Sequence, residues 1–220
     1  MAGPVTLEER RAFIARHTSV TSPPLVPELR LHLATDVTQL WQSSEQLFQQ
    51  TGLPPPFWAF CWPGGQALAR YVLDAPERVR AKRVLDFAAG GGVSAIAAVR
   101  AGAAAVTASE IDVLALDALG LNAELNDVTF DTTDSDLVGR DEGWDVVFAG
   151  DVCYERPVAE RITSWLRQLS TRGALVLMGD PGRTYQPRDR IEPVARYVVP
   201  TSRDLEDREQ RETSVLRILP

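Results

Sequence analysis

Four acidic side chains close four apolar runs of this chain. Asp86 stands next to last in RVLDF, Glu110 stands near the end of AAVTASEI, Asp151 follows the apolar core of WDVVFAGDV, and Asp180 ends GALVLMGD. Behind the first carboxylate come Gly90, Gly91 and Gly92; behind the third comes Tyr154. Carboxylates accept hydrogen bonds from hydroxyls and amines and attract cations. Glycines let a ligand approach the backbone closely and tolerate positive φ. A set of carboxylates at strand ends repels itself, so the pattern calls for a compensating ligand that carries positive charge or many hydroxyls.

Two ligand classes compete for the glycine loop. Gly90, Gly92 and Ala95 fit G-x-G-x-x-G/A, the dinucleotide fingerprint. A dinucleotide rests its pyrophosphate on a helix N-terminus, and Asp86 just ahead of the glycines would repel it. S-adenosylmethionine carries no phosphate; it has an ammonium and a sulfonium. Asp86, with Gly90 and Gly92, suits its methionine end, and Glu110 can accept both ribose hydroxyls. By analogy of position, Asp134 or Ser135 in the DTTDSD loop would supply an adenine contact. Trp62, beside the Pro63-Gly64-Gly65 turn, is the aromatic expected to face the cofactor, whereas Trp58 and Phe60 read as core. A capping role for Asp86 is the weaker alternative, because it stands several positions before the glycines. Asp180 and Arg183 are expected to pair with each other as a loop brace.

The elements that must position these residues are legible as an alternation. Residues 83–87, 104–111, 128–132, 144–152 and 173–180 read as strands, separated by helical patterns over 91–103, 112–127 and 156–169, with a further helix over 66–74 before the first strand. Residues 195–204 and 212–220 read as two last strands, forming an antiparallel pair. The expectation is an α/β fold: a Rossmann-like, seven-stranded, mostly parallel sheet with helices on both faces. Residues 1–56 differ in rhythm and read as an N-terminal helical extension packed on a domain spanning 57–220. Within it Thr6 is an expected N-cap, TSPPLVP an extended linker, and residues 36–50 a helix capped by Asp36.

With 220 residues, 45% apolar and 24% charged, the chain has the composition of an ordinary globular protein. Its net charge of −7 argues against a nucleic-acid partner. Neither a signal peptide nor a run long enough to cross a membrane is legible. Two distant cysteines, Cys61 and Cys153, and two isolated histidines give no metal site and point to a reducing compartment. A monomer in the cytoplasm is expected, or in the mitochondrial matrix if a transit peptide has been trimmed.

FWAFCWPGGQALARYVLD, VLDFAAGGG, SEID, GDVCYE and GDPGR, taken together, resemble the seven-strand S-adenosylmethionine-dependent protein-lysine methyltransferases with a D-x-x-Y motif. The group that methylates the beta subunit of electron transfer flavoprotein is the nearest, and HTSVTSPPLVPELRLHL extends the similarity towards the N-terminus. The resemblance implies S-adenosylmethionine as cofactor, lysine side chains of that protein as acceptor, Trp62, Asp86, Gly90, Gly92 and Glu110 as cofactor ligands, and Asp151 and Tyr154 as the pair bordering the lysine. Ala88 departs from the usual glycine two residues after the aspartate, and is expected to keep a negative φ. A small-molecule N- or O-methyltransferase and an inactive methyltransferase-like binding module are the alternatives.

Overall fold

A computed structural model describes residues 6–34, Leu40 and residues 55–220. The helix expected over 36–50 therefore lies outside the described residues, apart from Leu40, which is helical and buried. Seven strands form the main sheet: β3 (Arg83–Phe87), β4 (Ala105–Ser109), β5 (Asp131–Thr133), β6 (Val146–Gly150), β7 (Leu175–Asp180), β8 (Ile191–Pro200) and β9 (Gln210–Ile218). Their spatial order is β5-β4-β3-β6-β7-β9-β8. The first five are parallel, and β9 pairs antiparallel with both β7 and β8.

Helices cover both faces. α2 (Pro63–Asp74), α3 (Val93–Arg100) and α4 (Val113–Leu125) lie on one, and α5 (Arg156–Arg172) on the other. The alternation along each strand explains this. Val84, Val146, Phe148 and Leu177 pack with Leu68, Ala95 and Leu119, whereas Leu85, Val147, Val176 and Met178 pack with Ile162, Trp165 and Leu166. Strands buried on both sides read as continuous apolar runs, which is why VVFAG carries no polar residue. Strand order reverses between β3 and β6, so the crevice of this fold opens at their carboxyl ends.

Ahead of the sheet, α1 (Leu7–His17) starts with a capping box between Thr6 and Glu9. Ile14 is buried with Trp58, Leu114 and Ala118, and Arg10 pairs with Asp117 of α4. The segment that follows is not purely helical or extended linker. β1 (Thr18–Thr21) and β2 (Leu31–Ala34) form an antiparallel ribbon, and Val26, Leu29 and Leu31 pack on Val93, Ile96 and Ala97 of α3. Further boundaries differ from the sequence expectation. The third strand of the sheet begins at Asp131, not residue 128, and the strand expected over 195–204 runs Ile191–Pro200, its last expected residues entering a single helical turn, α6 (Arg203–Glu206), that continues into the charged stretch.

Candidate active site

The first strand of the sheet delivers Asp86 to the crevice, 3% exposed. Its Oδ2 accepts the backbone N–H of Ala95 at 2.9 Å, satisfying an orphan donor in the first turn of α3. The capping role set aside for Asp86 is thus real, and the carboxyl group still lines the cavity. Burial pushes its pKa up to about 7; the Ala95 N–H pulls it down and the nearby Glu110 charge pushes it further up. Ala88 takes φ +53, contrary to the expected negative value; the turn needs the left-handed region, and an alanine occupies it with strain. Gly90 at φ +53 and Gly92 at φ +81 complete the loop, Gly92 as N-cap of α3. A Cβ on Gly91 would lie 3.0 Å from the Trp58 carbonyl oxygen, so the loop runs close under that residue.

Glu110 stands just past β4. Its Oε2 accepts the Gly90 N–H at 3.0 Å and its Oε1 the Ile111 N–H at 2.8 Å, which ties the ends of β3 and β4 together. The Glu110 N–H reaches the Thr133 carbonyl at 3.0 Å. That brings the loop after β5 beside Glu110: the Ser109 hydroxyl meets the Ser135 carbonyl at 3.4 Å, and Asp134 is exposed. Neither Asp134 nor Ser135 lines the cavity.

On the other side of the crevice, Asp151 follows β6 at φ +56. Its Oδ2 accepts the Gly65 N–H at 3.1 Å, in the first turn of α2, and its Oδ1 the Arg183 guanidinium at 3.0 Å. Burial raises its pKa to about 7, with Arg183 opposing and Asp180 adding to the rise. α2 starts this close to the sheet because Gly64 and Gly179 touch backbone to backbone. A methyl on either would run into the other's carbonyl. Trp62 is the N-cap residue of α2 and donates its indole N–H to the Phe57 carbonyl at 2.9 Å. Tyr154 is 54% exposed, with its ring 6.2 Å from that of Phe57. Burial, Glu155 and Glu110 raise its pKa.

The structure thus gathers Trp62, Asp86, Gly90 and Asp151 around one small cavity of about 60 Å³. Gly92 and Glu110 support its glycine side, and Tyr154 lies outside the lining, close enough to Glu110 to feel its charge. Trp58 and Phe60, expected in the core, are buried there but also line this cavity, and three further contributors were not legible as site residues. Leu31 and Leu33 bring the N-terminal ribbon into the wall. Fully buried Asn122 donates to the Gly91 carbonyl at 2.8 Å and accepts the His32 N–H at 2.8 Å, fastening ribbon to glycine loop; the signal was a lone amide in LALDALGLNA, a stretch whose one other polar side chain is Asp117. The expected Asp180–Arg183 brace is also different. Asp180 accepts the N–H groups of Gly182 and Arg183, both at 2.7 Å, while the Arg183 side chain goes to Asp151 and Glu206.

The donor set discriminates between the two ligand classes. Two carboxylates line the cavity and no basic side chain does among the described residues, which fits a cationic ligand and not a pyrophosphate. Trp58, 1% exposed, lines it too, and its indole N–H has no acceptor among the described residues, a donor suited to a carboxylate.

Residues 67–179 match the family model described as Ribosomal protein L11 methyltransferase (PrmA). The chain is 41% identical over 194 residues to the electron transfer flavoprotein beta subunit lysine methyltransferase of Xenopus laevis, covering 85% of this chain and 78% of that protein. The chain belongs to the electron transfer flavoprotein beta subunit lysine methyltransferase family. The Homo sapiens member is 40% identical over 186 residues, covering 83% of this chain and 70% of that protein. This is a protein-lysine methyltransferase whose methyl donor is S-adenosylmethionine. Its fold is shared with the magnesium protoporphyrin IX methyltransferase of Synechocystis PCC 6803, solved with bound SAM, at a TM-score of 0.52 and 16% identity over 70% of this chain and 77% of that one.

Proposed function

We propose that the crevice at the carboxyl ends of β3 and β6 transfers methyl groups to lysine side chains of the electron transfer flavoprotein beta subunit. The observation that carries this reading is the pair of carboxylates, Asp86 and Asp151, on one cavity without a basic lining residue, in a chain 41% identical to a relative named for that substrate. When bound, S-adenosylmethionine supplies a methyl group on a sulfonium. In this reading Asp86, the Gly90–Gly92 loop and Trp58 hold the methionine end, Glu110 accepts the ribose hydroxyls, Trp62 walls the pocket, and Asp134 or Ser135 borders the adenine.

The acceptor amine arrives protonated, with a free pKa of about 10.4. Desolvation against Phe57, Tyr154 and Trp62 disfavours the charged form. Asp151, held at both oxygens, orients the amine by accepting its N–H, and the Tyr154 ring face receives its cation. Orientation of the nucleophile is the main task left to the protein. Residues 1–56 serve a catalytic unit of residues 57–220 as an extension, of which Leu31 and Leu33 wall the cofactor cavity. The enzyme acts as a monomer, without nucleic acid or membrane, in a reducing compartment such as the cytoplasm; both cysteines are free. Among the described residues no helix is long and apolar enough to cross a membrane.

The test is incubation with labelled S-adenosylmethionine and either the flavoprotein beta subunit or ribosomal protein L11, followed by mass-spectrometric mapping. Label on lysines of the beta subunit is expected. Asp151→Asn is expected to abolish it while S-adenosylhomocysteine binding, read by calorimetry, stays measurable. Label on L11 alone, or full turnover by Asp151→Asn, would overturn the assignment.

A further inference from the structure

Past β7 the chain turns through Gly182 at φ +84 and sends Arg183 back towards the crevice. The guanidinium meets three groups at once. It donates to Asp151 Oδ1 at 3.0 Å, to Glu206 at 2.5 Å and 3.3 Å, and its Cζ lies 5.6 Å from the centre of the Trp62 ring. The Glu206 side chain is 1% exposed and also accepts from Arg211 Nε at 2.9 Å. Glu206 comes from α6, the single turn inside the β8–β9 connection.

We propose that Arg183, anchored by Glu206, is the positioning residue that fixes the Asp151 carboxylate for the acceptor amine. The inference rests on the reading of Asp151 given above. A buried charge needs compensation, and Glu206 and Arg183 supply it for each other. The third contact, to Asp151, is therefore free to serve the site. Asp151 needs such a partner because it sits in the left-handed region at φ +56, a conformation that persists only where its surroundings over-determine it. Gly65 N–H holds one oxygen from α2 and Arg183 holds the other from the loop after β7. The antiparallel end of the sheet, with α6, thus supports a carboxylate on its parallel half.

The charges facing Asp151 are Arg183 and, from β7, Asp180; the thiols of Cys61 and Cys153 feel its charge. Arg183 is the cation among these, so its removal leaves burial and Asp180 opposed by the Gly65 N–H alone. The experiment compares Arg183→Met, Arg183→Lys, Glu206→Gln and the double variant Arg183→Met/Glu206→Leu with the parent and with Asp151→Asn, on the flavoprotein beta subunit. For Arg183→Met and Glu206→Gln, kcat is expected to fall about 10–100-fold, the size of a misplacement effect, with KM for the cofactor held within about threefold. For Arg183→Met the acidic limb of the kcat–pH profile is expected to move up by about one pH unit or more, and Arg183→Lys is expected to restore the parent limb. The double variant removes the Arg183–Glu206 pair as a unit, so neither is left buried without the other; Arg211 stays partly exposed and Asp151 keeps the Gly65 N–H, and the variant is expected to stay slow with a displaced limb. A double variant with the parent kcat and limb would overturn the inference, because the network would then serve folding alone. If Asp151→Asn is inactive while every Arg183 and Glu206 variant turns over normally, the inference fails and the site reading stands. If Asp151→Asn itself turns over normally, the site reading fails and the inference with it.

Discussion

Replacing Asp86 by asparagine should make the protein more stable and a poorer binder of its cofactor. Asp86 is 3% exposed, and burial lifts its pKa from the ordinary 3.8 to about 7. At about 1.4 kcal/mol per tenfold change in proton affinity, that is an upper bound of roughly 4 kcal/mol of destabilisation carried by the ionised form. The sign follows from linkage. Below pH 3.8 the group is protonated folded and unfolded, and costs nothing. Between 3.8 and about 7 the unfolded chain releases a proton that the folded chain keeps, so stability falls as pH rises; above about 7 the loss is complete. Asparagine does not titrate, and its Oδ1 can still accept the Ala95 N–H. Its new buried amide donor, if unpaired, costs about 1–3 kcal/mol. The expected net gain at pH 8 is about 1–3 kcal/mol, a rise of roughly 2–10 °C in Tm for a chain of this size. At pH 5 about 2–3 kcal/mol of that advantage should be gone. Asp112 and Asp151, which also titrate upward, are present in both proteins and cancel in the difference. Thermal denaturation of parent and variant at both pH values reads it, and calorimetry with S-adenosylmethionine should show affinity weakened about tenfold or more, a loss of at least about 1.4 kcal/mol. A stability difference that is the same at pH 5 and pH 8 would refute the reasoning, because the buried carboxyl would then not titrate near neutrality.

Asn122→Leu deletes the bonds to Gly91 and His32 and should cost about 2–4 kcal/mol in urea denaturation, with S-adenosylhomocysteine binding weakened at least about threefold; unchanged binding would show that the ribbon does not hold the glycine loop. Ala88→Gly relieves a left-handed alanine, worth about 1–2 kcal/mol, against about 0.5–1 kcal/mol of added chain entropy. Its unfolding free energy, read from urea denaturation, should rise by about 0.5–1 kcal/mol with cofactor affinity within about twofold, and a fall in stability would contradict the strain seen at φ +53.

The sheet was legible because its strands are buried on both sides and their apolar runs are long enough to mark. The first of them, Arg83–Phe87, coincides with its expected bounds. The strand-end carboxylates were legible for the same reason: each interrupts an apolar run. The ribbon was not, since TSVT and LHLA are four residues each and their burial depends on α3 and α4, far along the chain. Glu206 lies in LEDREQRE among other charges, with no local sign that one acid of that run is buried. Its significance comes from Arg183, and that side chain's direction depends on the turn at Gly182. The negative φ expected of Ala88 failed because a preference of the residue type was applied where the loop geometry decides.

Gly64 and Gly179 carry a consequence for how this sequence can vary. Each forbids a side chain on the other through its main-chain carbonyl, and every residue type has that carbonyl. No substitution at one position can therefore compensate for a substitution at the other. Second-site suppression has no foothold at this pair, and the WPGGQ and MGDPG segments must each keep their glycine independently, although more than a hundred residues separate them.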